Sequence, residues 1–331
     1  MWTFISKNMS LSYFIVLIVY AGSFINVILF YKVSKQWPKL IQLWETMEMK
    51  ISFDNKSLKR NMNMILIVVV TTAVADYTLQ SLTVLVEASK CGRELQTKVF
   101  YLASYPHIFQ HITYSPVIGF IAKVMSYLIT ITWAYRDLFI INISLAFIAA
   151  FRQINTELRR CKGRAMMPDY YWKYRITYME LRKLVNDFDD SINGITMLAI
   201  GKNTFIICAH LFKSLYFMGS TLDITYFWYS NLSLIIRTFV LGMIASDLHE
   251  ESKKPLKVFG AIPRAGWCTE VSIFNHEVMT DTIAFTGLKQ FSITRKLLLS
   301  ITAKIITYEI FLIQLKPNAG SIEDAEDLCK M

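Results

Sequence analysis

The chain alternates between long apolar runs and shorter segments that hold most of its charges. Six runs stand out, and each has the length that a helix needs to cross a bilayer, about 20 mainly apolar residues. The third is too long for a single perpendicular crossing, so we expect its helix to be tilted or to project beyond the bilayer. The pattern predicts an all-α polytopic membrane protein with six spans, at residues 9–31, 61–86, 117–151, 191–215, 224–246 and 297–315.

Composition agrees with a membrane protein and argues against two other classes. Hydrophobic residues make up 54% of the chain and charged residues only 18%, whereas soluble domains carry roughly 25% charged residues. The net charge of +10 does not indicate nucleic-acid binding, because the basic residues cluster between the apolar runs rather than on one stripe. The five cysteines are scattered without a CxxC pair, which indicates neither a zinc site nor a cofactor.

The basic residues also predict the orientation of the chain. Segments 32–60, 152–190 and 247–296 hold 7, 9 and 7 Lys and Arg residues, whereas segments 1–10, 87–116, 216–223 and 316–331 hold 1, 3, none and 2. The positive-inside rule therefore places the first group in the cytosol and both termini outside. An even number of spans with an external N-terminus is unusual without a signal sequence, so we expect that one further span precedes this chain.

A signature lies inside the last apolar run, at residues 307–314, where the chain reads Thr-Tyr-Glu-Ile-Phe-Leu-Ile-Gln. A Thr-Tyr pair followed by five residues and a Gln is similar to the signature of insect gustatory receptors. Further upstream, residues 226–230 and 237–238 resemble the penultimate span of the sugar-receptor branch, residues 247–256 the linker that follows it, and residues 294–296 the approach to the pore helix. The ordered set identifies the chain as resembling that branch, most specifically in its last third.

The resemblance implies a fold and a function. Receptors of this family have seven spans, an internal N-terminus and an external C-terminus, and they assemble as tetrameric ligand-gated cation channels in the plasma membrane. The six predicted spans correspond to the second through seventh. We therefore expect a ligand-binding bundle over 1–246, a cytosolic linker and amphipathic anchor segment over 247–296, a pore-lining helix over 297–315 and an extracellular tail over 316–331. Partners would be a sugar, membrane lipid and other gustatory receptors, in a homo- or hetero-tetramer.

Ionisable and aromatic residues within the spans supply candidates for ligand binding. Charged groups in a membrane are costly unless they face protein, water or a partner. Sugars are typically held by carboxylates and amides on their hydroxyls and by an aromatic ring under their C–H face. We therefore group Asp76, Trp133, Asp137 and Trp228 as a candidate sugar site. The alternatives are a structural ion pair of Asp76 with Lys202 or Arg136, and packing or interfacial anchoring for the two tryptophans.

The last span supplies the candidate pore residues. Its register predicts that Glu309 and Gln314 lie along one stripe of the pore helix, with Gln314 near the gate, while Thr307 and Tyr308 fix helix packing. Lys304 departs from the family pattern, in which two small residues occupy the positions of Ala303 and Lys304. A pore lysine repels cations; alternatively, Lys304 pairs with Glu309 or extends to the interface.

Two other functions fit parts of the pattern. His276 and Asp281 have the spacing of the catalytic pair of membrane acyltransferases, although no phosphate-binding glycines accompany them. A G-protein-coupled-type receptor also has seven spans, but the charge count gives a seven-span version of this chain the opposite orientation. We therefore predict a non-enzymatic receptor channel. The sequence does not identify the sugar.

Overall fold

The computed structural model describes residues 9–51, 55–89, 96–160, 162–214 and 220–314, and they form ten α-helices, one short 3-10 helix and one small hairpin. The elements, in chain order, are α1 (Met9–Lys50), α2 (Asn55–Ser89), α3 (Gln96–Ser104), α4 (Pro106–Phe109), α5 (Pro116–Arg159), α6 (Pro168–Ser214), α7 (Thr221–Lys253), α8 (Pro255–Phe259), a 3-10 helix (Arg264–Gly266), α9 (Thr269–Thr280), β1 (Thr286–Gly287), β2 (Phe291–Ser292) and α10 (Arg295–Gln314).

Six of these helices, α1, α2, α5, α6, α7 and α10, are long and apolar enough to cross a membrane, which confirms the predicted fold class. Most are much longer than the apolar runs that predicted them. The 44 residues of α5 rise about 66 Å, roughly twice the thickness of a hydrocarbon core. The predicted extension beyond the bilayer is therefore general, because polar residues continue the same helical turns into the connecting segments.

Local sequence explains where several helices begin. Pro116 occupies the first turn of α5, where its missing N–H is no loss and its fixed φ suits a helix. Ser220 caps α7 through a reciprocal capping box with Asp223, which satisfies two donors that the first turn leaves unpaired. Both boundaries lie at the end of the bundle that also carries α3 and α4, called here the α3 end; the opposite end, with α8, α9 and the hairpin, is the α9 end.

The hydrophobic core is concentrated toward the α9 end. The residues predicted to form an amphipathic segment, Val271, Phe274, Val278 and Phe285, are all fully buried. They pack into the bundle rather than along a membrane surface. Within the bundle they contact aromatic side chains of α5 and α6. T-shaped or tilted ring contacts join Phe147 to Phe285, Tyr178 to Phe274, and Phe259 to Phe274.

The end of α9 is held by a lysine from another helix. The Lys253 ammonium of α7 donates to the backbone carbonyls of Val278, Met279 and Asp281, at 2.6, 3.0 and 2.6 Å. The last carbonyls of a helix have no partner within it, and a cation there also matches the negative end of the helix dipole. One side chain thus ties α7 to α9 and ends the helix.

The hairpin that follows turns through two left-handed residues. Leu288 has φ 49° and Lys289 has φ 59°, a conformation that costs free energy for side chains larger than glycine. Gly287 precedes them, and a Cβ there would collide with the Phe291 ring. Contacts to α6 hold the turn: Leu288 N–H donates to the Asn193 carbonyl at 3.3 Å. Helix α10 starts three residues after the hairpin.

Candidate ligand site and pore helix

A buried ion network occupies the middle of the bundle. Asp137 is fully buried, and its Oδ1 accepts from the neighbouring Arg136 guanidinium at 2.9 and 3.1 Å. Its Oδ2 lies 3.0 Å from Arg237 Nε on α7 and accepts from the Asn203 amide of α6 at 3.4 Å. Arg136 also donates to Asn203 Oδ1 at 2.8 Å. The network thus joins α5, α6 and α7 through side chains that a membrane would not otherwise tolerate.

Trp133 lies one turn before Asp137 and connects this network to α1. Its indole N–H donates to the Ser23 hydroxyl at 2.8 Å, and the Lys202 ammonium sits over its ring. The charges of Arg136, Asp137 and Arg237 all act on Lys202. The predicted stacking surface is therefore covered on one face by a lysine, which makes a cation–π contact there.

Asp76 approaches the network from α2. Its carboxylate lies near the Ser230 hydroxyl of α7, and the charge of Arg237 acts on it. Of the two pairings considered for Asp76, with Lys202 or with Arg136, neither occurs among the described residues; the basic group whose charge acts on Asp76 is Arg237, which forms its ion pair with Asp137. The charge of Arg237 thus acts on both carboxylates, Asp76 and Asp137. We call this set the polar node; its members are Asp76, Arg136, Asp137, Lys202, Asn203 and Arg237.

Several buried polar atoms around the node make no hydrogen bond to any residue that the structure describes. Within the node they are Asp76 Oδ1, Arg136 Nη1 and Lys202 Nζ; elsewhere on α6 and α1 they are Thr196 Oγ1 and both amide atoms of Asn26. Orphaned buried polar groups of this kind are rare and costly, and in native proteins water or a ligand usually satisfies them. The set offers both donors and acceptors, which is the chemistry that hydroxyl groups of a ligand require.

The fourth member of the predicted sugar site lies apart from the other three. Trp228 is 55% exposed, and its ring contacts the neighbouring Phe227 at 5.8 Å between centroids. The structure therefore brings Asp76, Trp133 and Asp137 to one node and leaves Trp228 on the outer surface of α7. Sequence reasoning did not single out Asn26 or Asn203 as site residues, because an uncharged amide in an apolar run gives little signal.

The last helix is the least covered part of the bundle. No side chain of α10 is buried. Its contacts run along α6 and α7, and Gly242 of α7 leaves room for the Leu298 side chain. Its exposed residues include four that recur at turn-like spacing on one face; they are Lys304, Thr307, Phe311 and Gln314.

The sequence predicted that Glu309 and Gln314 share one stripe of α10, but the orientation of the helix about its axis separates them. Glu309 turns toward α6, where its charge acts on Cys208, while Gln314 is exposed. Five residues on an α-helix turn through about 140°, so the two side chains point to different sides. The same angle separates Lys304 from Glu309, and the described residues contain no ion pair between them. Tyr308 lies near Cys208 as well, although both it and Thr307 are exposed; their predicted role in helix packing stays a prediction.

The proposed acyltransferase pair does not assemble in the structure. His276 is exposed on α9, and Asp281 forms an ion pair with Arg182 of α6 at 2.5 Å. The described residues also contain no group of three or more His, Cys, Asp or Glu side chains that is arranged to hold a metal ion.

Comparison with known proteins gives consistent results. A family model described as "Trehalose receptor" matches residues 2–325. In Drosophila melanogaster, the gustatory receptor for sugar taste 64f is 33% identical over 304 residues, and the gustatory receptor 5a for trehalose is 27% identical over 291 residues. The matches cover 90% and 86% of this chain, respectively, and 65% of each relative, so the chain spans about two thirds of their length.

A solved structure has the same fold. The insect olfactory receptor OR5 from Machilis hrabei, in complex with eugenol, superposes with a TM-score of 0.61 at 12% identity. The match covers 91% of this chain and 80% of that receptor. A second structure of the same receptor gives a TM-score of 0.59.

Proposed function

Because this chain belongs to the trehalose receptor family of insect gustatory receptors, we propose that it is a subunit of a sugar-gated, non-selective cation channel in taste neurons. The family and its structural neighbours are receptors and ion channels rather than enzymes. In this proposal, four subunits, either identical or drawn from related gustatory receptors, surround one pore in the plasma membrane.

The observation that carries the proposal is the surface of α10. A helix with no buried residue contributes little to the stability of its own bundle, and its exposed face carries Lys304 and Gln314. Hydrocarbon is a costly environment for both groups, so this face requires water or protein. A central pore lined by α10 from each subunit provides the water, and neighbouring copies of α10 provide the protein.

The polar node and Trp133 are the proposed binding site for the sugar. The orphaned atoms of Asp76, Arg136 and Lys202 supply acceptors and donors for hydroxyl groups, and the Trp133 face opposite Lys202 is proposed as an apolar platform. The paired oxygens of Asp137 fix the orientation of the site rather than contact the sugar directly. Trp228 is proposed as a contact to lipid or to the rim of the site.

The proposed orientation places the α3 end and the C-terminus outside the cell. It rests on the excess of Lys and Arg in the three segments at the α9 end. An epitope tag at the C-terminus is expected to be reached by antibody on intact cells. Labelling only after permeabilisation would overturn this orientation and revive the G-protein-coupled alternative.

A functional test uses cells that express the full chain alone and with other sugar-taste gustatory receptors. We expect inward cation currents on addition of one or more sugars from a panel that includes trehalose. A double variant, Asp76→Asn with Trp133→Ala, is expected to lose the response while keeping surface expression. Absence of current with every sugar and every partner, despite surface expression, would contradict the proposed function.

A further inference from the structure

A second cavity lies between α2, α3 and α5, apart from the polar node. Its volume is about 530 Å³, within the range of sites that hold small molecules. Three aromatic rings form much of its wall, from Tyr77, Phe100 and Tyr101, together with neutral hydroxyl and amide side chains of α2 and α3. None of the node residues lines it. The proposed function assigns no role to this cavity.

A glycine of α5 shapes one wall. A Cβ at Gly119 would lie 2.6 Å from Tyr101 Cγ, closer than atoms of packed side chains approach one another. The absence of a side chain at Gly119 therefore lets the Tyr101 ring pack directly on α5. This contact holds α3 against α5, and the aromatic wall depends on it.

The cavity contains one charged residue, a lysine. The Lys123 ammonium lies 4.4 Å from the centroid of the Phe100 ring and 5.9 Å from that of Tyr77. Neither Asp nor Glu lines the cavity, and Lys123 forms no ion pair within the part of the chain that the structure describes. Aromatic faces position the cation but do not neutralise it. The site is therefore suited to an anion.

The border of the cavity is apolar and faces outward. Leu82 and Leu85 line it and are 46% and 44% exposed. Both lie in the apolar run of α2, so the opening faces acyl chains rather than bulk water. A ligand that enters there combines an apolar body with a negatively charged end.

We propose that this cavity binds a lipid anion. Its acyl chain would lie along Leu82 and Leu85, and its charged group would bind the Lys123 ammonium. The ammonium attracts the charged group of such a lipid more strongly here than in water, because the surroundings have a low dielectric constant. The chemistry is shared by an anionic phospholipid of the bilayer and by a free fatty acid, and binding does not require that the receptor respond to sugar.

The test measures lipid retention by the purified full chain. The protein is reconstituted in vesicles of phosphatidylcholine with phosphatidylserine, or of phosphatidylcholine with oleate, extracted in detergent and analysed by native mass spectrometry. We expect one anionic lipid to be retained per subunit in preference to phosphatidylcholine. Retention of phosphatidylserine identifies a bilayer phospholipid as the source, and retention of oleate alone identifies a free fatty acid.

Variants locate the site. Lys123→Gln is expected to lower retention of the anion by about fivefold, the effect of one basic side chain at an anionic membrane surface, and Lys123→Arg is expected to keep it. Lys98→Gln removes a nearby lysine of α3 that does not line the cavity, and should have no effect. Leu85→Trp narrows the opening and should lower retention while leaving Lys123 in place. Melting curves in detergent confirm that each variant is folded.

Three results would overturn the proposal. One is equal retention by the wild-type protein and Lys123→Gln. Another is equal loss with Lys98→Gln, which would indicate a diffuse charge effect. The third is equal retention of phosphatidylcholine and the anions, which would indicate an apolar groove without charge selectivity.

Discussion

The Asp189 carboxylate of α6 accepts two hydrogen bonds from Thr286, one from its backbone N–H at 2.6 Å and one from its hydroxyl at 2.7 Å. The Lys289 ammonium lies 2.6 Å from the same carboxylate and 2.8 Å from Asp190. Burial alone would lower the pKa of Lys289, but its hydrogen bonds to Asp189 and Asp190 have the larger effect. The pKa of Lys289 is therefore raised above its usual value. The hairpin that leads into α10 is thus fastened to the middle of α6.

Replacing Asp189 is expected to loosen this attachment. Asp189→Ala leaves a backbone N–H and a strained turn without their acceptor, and should lower the free energy of unfolding by about 2–3 kcal/mol. Asp190→Ala is the matched control, because its carboxylate is mostly exposed and such pairs contribute about 0–1 kcal/mol. Melting in detergent measures both, and equal melting temperatures would contradict the inferred attachment.

The ion network should be much more sensitive to the loss of its carboxylate than a surface pair. Asp137→Ala leaves Arg136 and Arg237 facing each other without an anion, and removal of one partner from a buried pair costs about 3–5 kcal/mol. The exposed pair of Lys50 and Glu180 provides the control, with Glu180→Ala expected to cost about 0–1 kcal/mol. Expression yield and thermal stability are the measurements. Normal stability of Asp137→Ala would show that water replaces the carboxylate.

Lys253 offers a test of how α9 is held. Lys253→Met keeps the apolar stem but removes the donor to three carbonyls, and should cost about 1–2 kcal/mol with faster hydrogen exchange at the end of α9. Lys257→Met changes an exposed lysine of α8 and should leave that exchange unchanged. If exchange is the same in both variants, the lysine does not stabilise the helix end.

The charge at residue 304 should control cation flow if α10 lines the pore. Lys304→Gln removes a positive charge from the exposed face and should raise the cation conductance several-fold, because a narrow low-dielectric pathway amplifies the effect of a fixed charge. Lys304→Arg keeps the charge and should resemble the unmodified protein. Single-channel recording of the full chain with its partner receptors distinguishes them. Equal conductance in all three proteins would place Lys304 outside the pore.

Lowering the pH should destabilise the α3 end of the bundle, because His107 becomes protonated. Burial lowers the pKa of His107 below its usual value, and its Nε2 lies 3.3 Å from the Tyr20 hydroxyl. The fold therefore favours the neutral ring, so this contribution to stability is complete above pH about 6.5 and is lost as the pH falls through the lower folded pKa. Melting temperatures between pH 7.5 and about 5 should fall less in His107→Gln than in the unmodified protein, while His111→Gln should behave like the latter.

Burial also raises the pKa of Tyr105 to about 12, so this neighbour of His107 stays neutral throughout the same pH range. A pH dependence that persists unchanged in His107→Gln would therefore assign the effect to titratable groups other than His107.

The sequence by itself determined the six spans, the fold class and the family. In a membrane the solvent is hydrocarbon, so a long apolar run must form a helix whatever its neighbours are, and local composition is sufficient. It also identified Asp76, Asp137 and Lys304 as unusual, because ionisable groups in such runs are costly at any rotation of the helix.

Only the tertiary structure decided which of these groups meet. Asp137 is paired with Arg237, which lies a hundred positions further along the chain, and no spacing rule connects them. The rotation of α10, which turns Glu309 inward and Lys304 outward, follows from the packing of Leu298 against Gly242. Apolar runs specify that a helix exists, but its rotation and ionic partners depend on side-chain contacts between helices that are distant in sequence.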